Sequence, residues 1–377
     1  PGNTIIMIVF IYYDSIYDWW KNIDKVLLFL ILGLFLLGLF FSLVSTSLIA
    51  SDKLDTKSYY FFFKHSVYII LAIVILIMFS FLNQKILTKF SLILFLIAFL
   101  SLMLVPFVGI EVKGSKRWLD LIFLPRFQPV EIIKPFFIVT LSLMLTIQNR
   151  RLYFKYFLST LLIFPILMLL VYQPDIGQTL LISMVWLALI FVSGINIFVF
   201  FMFFFLVGSV VSYLVMFVSK FEYIKIRLLA FLDSNTGNNY QAEKASDAII
   251  NGGFFGKGIG EGTLNSRVPE AHTDYIVSVI AEEFGAIIVI AILLLYLIFS
   301  YKIIQKIKIL NEDLLKLILI GCVSLILLQT FIHVGVNIRL LPTTGMTLPF
   351  LSYGGSSIVS TAIVSGIILN LTKRKID

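Results

Sequence analysis

Ten runs of mostly apolar residues, each about 20 residues long, occupy most of this 377-residue chain. A helix needs roughly 20 apolar residues to cross the 30 Å hydrocarbon core of a bilayer. The chain is 60% hydrophobic and only 13% charged, which leaves too little polar surface for a water-soluble globule. The sequence predicts an all-α polytopic membrane protein with ten transmembrane helices. These lie near 25–50, 65–82, 90–109, 131–148, 153–172, 177–193, 196–219, 275–300, 314–335 and 353–372.

Basic residues in the short loops predict the orientation. An even number of crossings puts both termini on one side, and NQK, NRR, YKIIQKIKI and the final KRK all lie on that side. Short basic loops mark the cytoplasm, so both termini are predicted to be cytoplasmic, although Lys and Arg totals on the two sides nearly tie. A single transmembrane domain over 1–377 is expected, with extracytoplasmic loops at about 109–130, 220–273 and 336–352. The longest loop joins helices 7 and 8.

Charge and cysteine content limit the kinds of ligand that this chain is expected to bind. The net charge of +8 is dispersed, which favours anionic headgroups over nucleic acid. The single Cys322 lies in an apolar run, so neither a disulfide framework nor a cysteine metal site is expected. Three scattered histidines make a zinc site improbable. The run GGFFGKGIGEG lacks the P-loop pattern and is interpreted as a tightly turning, flexible loop.

The segment PEAHTDYIVSVIAEEF places carboxylates at and inside an apolar run. Thr273 or Asp274 could cap the helix that follows; Asp274 could equally be a general base at the outer membrane surface. Glu282 lies eight residues on, on the same helical face and about 12 Å deeper, with Ser278 between them and Glu283 turned away. This stripe indicates a polar cavity opening outward, although a structural ion pair is at least as good an explanation of the glutamates.

Two further segments carry charge near the predicted outer surface. The run KGSKRW supplies Lys113, Lys116, Arg117 and Trp118. These residues are typical of an interfacial belt, or of a site for a phosphorylated lipid headgroup. The run QPVEIIKPF places Glu131 and Lys134 three residues apart, where they can form a self-neutralising pair.

Together these segments resemble the SEDS family, the ten-helix cell-wall polymerases that include RodA and FtsW. The motifs that carry the resemblance are PEAHTDYIVSVIAEEFG, KGSKRWL with FQPVE, YQPDIGQTLL and LPTTGMTLPFLSYGGSS. They span nearly the whole chain. Ala271 in PEAHTD, with GGFFGKGIGEGT upstream, is more similar to the FtsW branch of the family, which acts in division, than to the RodA branch.

The resemblance implies an inverting peptidoglycan glycosyltransferase that polymerises lipid II during cell division. It would act at the outer, periplasmic face of the bacterial cytoplasmic (inner) membrane, at the division septum. The implied partners are lipid II, the undecaprenyl-pyrophosphate-linked glycan, a class B penicillin-binding protein (a transpeptidase) and membrane proteins of the divisome, with no nucleic acid. No cofactor is evident, although a divalent cation stays open because pyrophosphate chemistry can use one.

The essential Asp of the family's HTD motif matches Asp274, the expected general base, and the Trp of its RW motif matches Trp118. The expected substrate-binding residues are Lys113, Lys116, Arg117, Trp118, Arg267, His272 and Arg339. The expected supporting polar residues are Glu131, Lys134, Glu270, Ser278, Glu282, Ser352 and Ser356. Two residues depart from the family pattern: Val130 stands where Ser is usual, and Thr344 where Lys is usual, which weakens a phosphate-binding role for that loop.

Three alternatives stay open. A lipid II flippase would need polar residues that continue across the bilayer, whereas those here cluster in the predicted outer half. A scaffold that recruits a transpeptidase would need partner-facing helices and no dependence on Asp274. An elongation polymerase similar to RodA is the nearest alternative within the enzyme interpretation.

Overall fold

A computed structural model describes residues 16–46, 60–112, 115–121, 124–148, 151–218, 222–232, 240–263, 268 and 270–374. After a short helix at 16–22, the helices are α1 (Lys25–Thr46), α2 (Tyr60–Phe81), α3 (Gln84–Val108), α4 (Pro129–Leu145), α5 (Leu152–Tyr172), α6 (Ile176–Val192), α7 (Ile197–Phe217), α8 (Glu222–Leu232), α9 (Tyr240–Gly252), α10 (Ile276–Phe284), α11 (Ala286–Ile309), α12 (Asp313–Asn337) and α13 (Gly355–Leu371). The strands are β1 (Ile110–Val112), β2 (Ser115–Leu121) and β3 (Leu124–Phe127).

Nine of the ten predicted apolar runs each correspond to one helix, with boundaries that differ by up to six residues, whereas the run 275–300 corresponds to two helices, α10 and α11. Within the described ranges, six helices are long and apolar enough to cross a membrane: α1, α2, α3, α5, α11 and α12. Shorter apolar helices lie at Ile176–Val192, Ile197–Leu206 and Gly355–Leu371. A multi-pass helical membrane fold is therefore confirmed.

An all-α chain was expected, but the segment between α3 and α4 forms an antiparallel sheet in the order β1-β2-β3. Ile110 pairs with Trp118, and Leu119 pairs with Phe127. On β2, Leu119 is buried while the next residue, Asp120, is exposed. The segment had been interpreted from the sequence only as a loop.

Helix α13 occupies the centre of the bundle and packs against α2, α4 and α12. Small residues permit its close approach to α2. A Cβ atom on Gly366 would lie 2.7 Å from Cβ of Phe79, and one on Gly355 would lie 2.6 Å from the ring of Tyr68. Membrane helices associate through such small-residue contacts because lipid supplies little hydrophobic drive between them.

The predicted continuous helix at 275–300 is wrong, because the structure breaks it into α10 and α11 at Gly285. Gly285 has φ 85° and ψ 168°, a conformation outside the helical region that glycine adopts without a Cβ penalty. The break leaves unsatisfied carbonyls at the end of α10 and unsatisfied N–H groups at the start of α11. Residues 252–260, named the glycine clasp below, satisfy them.

Four backbone hydrogen bonds join the clasp to both sides of the break. They run from Lys257 N to Glu282 O (2.9 Å), Gly258 N to Glu283 O (3.0 Å), Ala286 N to Gly253 O (2.9 Å) and Ile287 N to Phe254 O (3.3 Å). Irregular backbone at a membrane helix is tolerated where protein covers it in this way. The glycine-rich run, predicted to be a flexible loop, is therefore a structural brace of the broken helix.

Candidate functional site

Asp274 lies in a tight turn that precedes α10. The backbone N–H groups of Thr273 and Asp274 both donate to the carbonyl oxygen of Glu270, at 3.0 and 3.1 Å, and Glu270 has φ 56°. The residue that flanks the first turn of α10 is Tyr275, and its side chain makes no capping hydrogen bond. The expected position of Thr273 or Asp274 as the capping residue is therefore wrong, because the turn places Tyr275 at that position.

Asn337, the last residue of α12, is hydrogen-bonded to this turn and to α10. Its Oδ1 accepts from Ser278 N at 3.2 Å and from Ser278 Oγ at 2.8 Å. Its Nδ2 donates to the carbonyl oxygens of Asp274 at 3.1 Å and His333 at 2.8 Å. All four hydrogen-bonding positions of the buried amide are thus used, and they connect α10, α12 and the Asp274 turn.

The segment between α12 and α13 flanks the other side of the turn. Ser352 Oγ donates to the Thr273 carbonyl at 2.6 Å, and Tyr353 N donates to the His272 carbonyl at 3.0 Å. Gly345 has φ 67°, and a Cβ atom there would lie 3.5 Å from Asp274 Oδ2. A glycine at this position therefore keeps the space beside the carboxylate open.

The two glutamates inside α10 do not line an open cavity. Glu282 is fully buried, and its Oε1 accepts from Asn251 Nδ2 at 2.8 Å. Glu283 is buried too, and its Oε2 accepts from the backbone N–H of Gly260. Both carboxylates thus attach α10 to α9 and the clasp. Below Asp274, the predicted polar stripe along α10 consists of Ser278, which binds Asn337, and Glu282, which binds Asn251. The structural interpretation of the two glutamates agrees with the partners observed.

Arg117 faces the bundle from β2 and contacts the loop between α5 and α6. Its Nη1 lies 3.7 Å from Asp175 Oδ1, and its Nε donates to the Gln173 carbonyl at 3.2 Å. Asp175 caps α6 and also accepts from Gln128 Nε2 at 3.0 Å. Burial raises the pKa of the Asp175 carboxyl, and the positive charge of Arg117 opposes that shift. The backbone N–H of Gln128 donates to Ser356 Oγ at 3.0 Å, so Ser356 contacts the residue that binds Asp175.

Glu131 and Lys134 form the predicted pair, with Lys134 Nζ 2.6 Å from Glu131 Oε2. Both side chains are buried. Gln178 Nε2 donates to Glu131 Oε1 at 2.6 Å, and Lys134 Nζ donates to Gln329 Oε1 at 3.3 Å. Gln329 in turn donates to the Thr347 carbonyl at 2.9 Å. This network connects α4 with α6, α12 and the segment that borders Asp274. Together with the hydrogen bonds of Asn337, Asp175, Glu282 and Glu283 described above, it is named the polar junction below.

The expected phosphate-binding residues that the structure describes have different surroundings. On β2, Lys116 is exposed, whereas Arg117 contacts Asp175 and the Gln173 carbonyl. Trp118 and Arg339 are half-buried. Arg339 has φ 57°. Lys113 and Arg267 lie outside the described residues.

The two departures from the family pattern have local explanations. Val130 is buried in the first turn of α4, where an apolar side chain needs no hydrogen-bonding partner. Thr344 packs against α6, because a Cβ atom on Gly177 would lie 2.9 Å from Thr344 Cβ. Thr344 thus contacts α6, and the next residue, Gly345, lies beside Asp274.

Several residues of this junction were missed in the sequence. Asn337, Gln329, Gln178, Asp175 and Gln128 lie in quoted motifs or apolar runs but received no role. A buried amide in an apolar run is a signal that could have identified the first three. Across the described ranges, no group of three or more His, Cys, Asp or Glu side chains is placed to hold a metal ion.

The fold and this polar junction define a multi-pass membrane protein with a partly exposed carboxylate, Asp274, at one end of its helix bundle. Residues 25–376 match the cell cycle protein family of FtsW, RodA and SpoVE, and the chain belongs to that family. The predicted SEDS resemblance is confirmed.

Curated relatives align over nearly the full chain. A protein of Caulobacter vibrioides, named "Probable peptidoglycan glycosyltransferase FtsW", is 31% identical over 358 residues, covering 95% of this chain and 91% of that protein. A protein of Coxiella burnetii with the same name is 33% identical over 352 residues, covering 90% and 93%.

Two solved structures are similar in fold. A chain from the structure reported as "Structural coordination of polymerization and crosslinking by a peptidoglycan synthase complex" has a TM-score of 0.76 and 26% identity, covering 93% of this chain and 97% of that one. The rod shape determining protein RodA of Thermus thermophilus has a TM-score of 0.69 and 26% identity, covering 94% and 97%.

Proposed function

We propose that this protein is an inverting peptidoglycan glycosyltransferase that polymerises lipid II, with Asp274 as its general base. The observation that carries the assignment is the difference in exposure among the carboxylates of the junction. Glu131, Asp175, Glu282 and Glu283 are buried and have partners inside the bundle. Asp274 is partly exposed beside Gly345, so a substrate hydroxyl can reach it. Glu270 is also partly exposed, but its Oε2 accepts from Thr273 Oγ1 at 3.2 Å within the turn.

The reaction follows from this placement. Asp274 takes the proton from the 4-hydroxyl of the acceptor sugar as that oxygen attacks the anomeric carbon of the growing chain. The bond to undecaprenyl pyrophosphate breaks with inversion, and the pyrophosphate leaves with the electron pair. Donors aimed at developing charge stabilise such a leaving group. Lys116, Arg339 and the exposed part of Arg117 are the described cations proposed for this role, with Lys113 and Arg267 as further candidates from the sequence.

The finer topology belongs to the same proposal. Ten crossings, cytoplasmic termini and a single domain would place Asp274 and the loops at 109–130, 220–273 and 336–352 outside the cytoplasmic membrane. Both substrates are lipid-anchored, so a site where membrane helices end suits them. The FtsW names of the relatives support a role in division at the septum. The similarity to a chain of a peptidoglycan synthase complex supports a transpeptidase partner.

The test is polymerisation of fluorescent lipid II by the purified protein with its cognate transpeptidase. General-base catalysis is typically worth about 10²–10⁴-fold, so Asp274→Asn is expected to lose activity by that factor while keeping its fold and its partner. Glu270→Gln is the matched control, since Glu270 is also half-buried and lies in the same turn. It is expected to retain most activity.

The outcomes separate the alternatives. Equal activity of wild type and Asp274→Asn would refute the base assignment and redirect the search to Glu270. Movement of lipid II across the bilayer without polymer would support the flippase alternative. Activation of a transpeptidase with no polymerisation of its own would support the scaffold alternative.

A further inference from the structure

The tip of the glycine clasp exposes apolar side chains that no part of the described protein covers. Phe254 is 71% exposed, Phe255 is 85% exposed and Ile259 is 65% exposed. The clasp backbone is held by hydrogen bonds on both sides of Gly285, so these side chains are presented from a braced segment. Clustered exposed apolar groups of this kind mark a binding surface for protein or lipid.

The neighbouring helix α11 indicates whether protein or lipid covers these exposed side chains. The outward face of α11 exposes a stripe of apolar residues at helical spacing: Ile287, Ile290, Leu294, Leu297 and Tyr301. Helix α11 is 24 residues long and apolar enough to cross a membrane, so an exposed apolar stripe along it faces acyl chains.

The clasp continues this stripe beyond the helix. The backbone N–H of Ile287, the first residue of the stripe, donates to the Phe254 carbonyl at 3.3 Å, so the tip lies beside the first turn of α11. Lys257 follows within the clasp and is exposed. A lysine next to inserted aromatic side chains suits the phosphate level of a bilayer, where its amine meets anionic headgroups.

We propose that Phe254, Phe255 and Ile259 insert into the lipid at the membrane surface and anchor α10 to the bilayer. The clasp is hydrogen-bonded to Glu282 and Glu283 at the end of α10. The anchor therefore sets the position of α10, and of the turn that precedes it, relative to the lipid. This proposal concerns a lipid surface and does not depend on the reaction assigned to Asp274.

The test is depth-dependent fluorescence quenching of the full-length protein in vesicles of phosphatidylethanolamine and phosphatidylglycerol. In a Cys322→Ala background, a bimane label is attached to Phe255→Cys, or to Ile259→Cys as a second position. Asp247→Cys is the control, because Asp247 is exposed on α9 with only a surface pair to Lys244. The quenchers are a nitroxide on the upper acyl chain and aqueous iodide.

We expect the nitroxide to quench the clasp labels at least twofold more than the Asp247 label, and iodide to show the reverse order. Labels at 255 and 259 that behave like the Asp247 label would overturn the proposal, since the tip would then lie in water. Labels open to iodide in the isolated protein, and shielded only after a class B transpeptidase is added, would also overturn it. The tip would then be a protein-docking surface.

Discussion

Asn337 offers the most direct test of how the Asp274 turn is held. Replacing it with Ala removes four hydrogen bonds from a fully buried amide. Ser278 N keeps a second acceptor, the Tyr275 carbonyl at 3.0 Å. The Ser278 hydroxyl and the Asp274 carbonyl are left without this partner. Each unsatisfied buried group costs about 1–3 kcal/mol, so Asn337→Ala is expected to lose about 2–6 kcal/mol of stability.

The stability of Asn337→Ala is compared with that of two further variants, Ser278→Ala and Asn337→Asp. Ser278→Ala deletes one hydroxyl and leaves Asn337 Oδ1 with its bond from the Ser278 amide, so the expected loss is only about 1 kcal/mol. Asn337→Asp keeps the shape but turns an oxygen toward two carbonyl oxygens, and burying such a repulsion costs at least as much as the Ala variant. The expected order of stability is wild type, Ser278→Ala, Asn337→Ala, then Asn337→Asp.

The assay is thermal unfolding in detergent with a thiol-reactive dye, because the buried Cys322 in α12 becomes reactive only when the bundle opens. Asn370→Ala is the matched control, since Asn370 is also buried and donates to carbonyls of Phe79 and Ser80, away from Asp274. At equal loss of stability, only Asn337→Ala is expected to lose polymerisation as well. An Asn337→Ala protein as stable as Ser278→Ala would refute the reasoning.

Three further predictions concern stability, each measured by thermal unfolding. Gly285→Ala is expected to lose at least about 2 kcal/mol, because it adds a Cβ atom at φ 85° and 2.2 Å from a clasp carbonyl oxygen. Glu131→Gln leaves Lys134 charged and buried, at a cost of about 3–5 kcal/mol, whereas Glu131→Gln with Lys134→Met together costs less. Asp24 pairs with Lys306 at 2.9 Å. Burial raises the pKa of Asp24, but Lys306 and two backbone N–H groups outweigh it, so the net pKa lies below 3.8. The stabilisation is thus present above pH 3.8 and lost as pH falls through the lower folded value, so wild type and Asp24→Asn should differ at pH 7 and converge in acid.

Each of these has a result that contradicts it. Gly194 has φ 92°, and a Cβ atom there would meet no other atom within 4 Å, so Gly194→Ala isolates backbone strain from crowding. Equal losses at Gly194 and Gly285 would show that the clasp contact does not matter. A double variant at 131 and 134 that is less stable than Glu131→Gln would contradict the buried-charge argument. A difference between wild type and Asp24→Asn that persists in acid would exclude the ion pair as its cause.

Much of the fold could be predicted from the sequence because membrane insertion depends on local composition. A run of about 20 apolar residues must be helical in lipid, since its backbone groups have no other partners there. The helices and the Glu131–Lys134 pair each depend on residues within one short stretch of sequence, and for that reason both could be predicted. The turn that carries Asp274 was not predicted, because the residues around it were expected to cap the helix.

Only the tertiary structure decided what the polar side chains do. Lys134 meets Gln329, 195 residues away, and Ser278 meets Asn337, 59 residues away. No local pattern encodes such distances. The break at Gly285 was missed for the same reason: its carbonyls and N–H groups are satisfied by a clasp that lies earlier in the chain, at residues 252–260. Apolar segments were predictable because burial in lipid is a property of each segment alone, whereas a buried polar atom depends on the partner that folding brings to it.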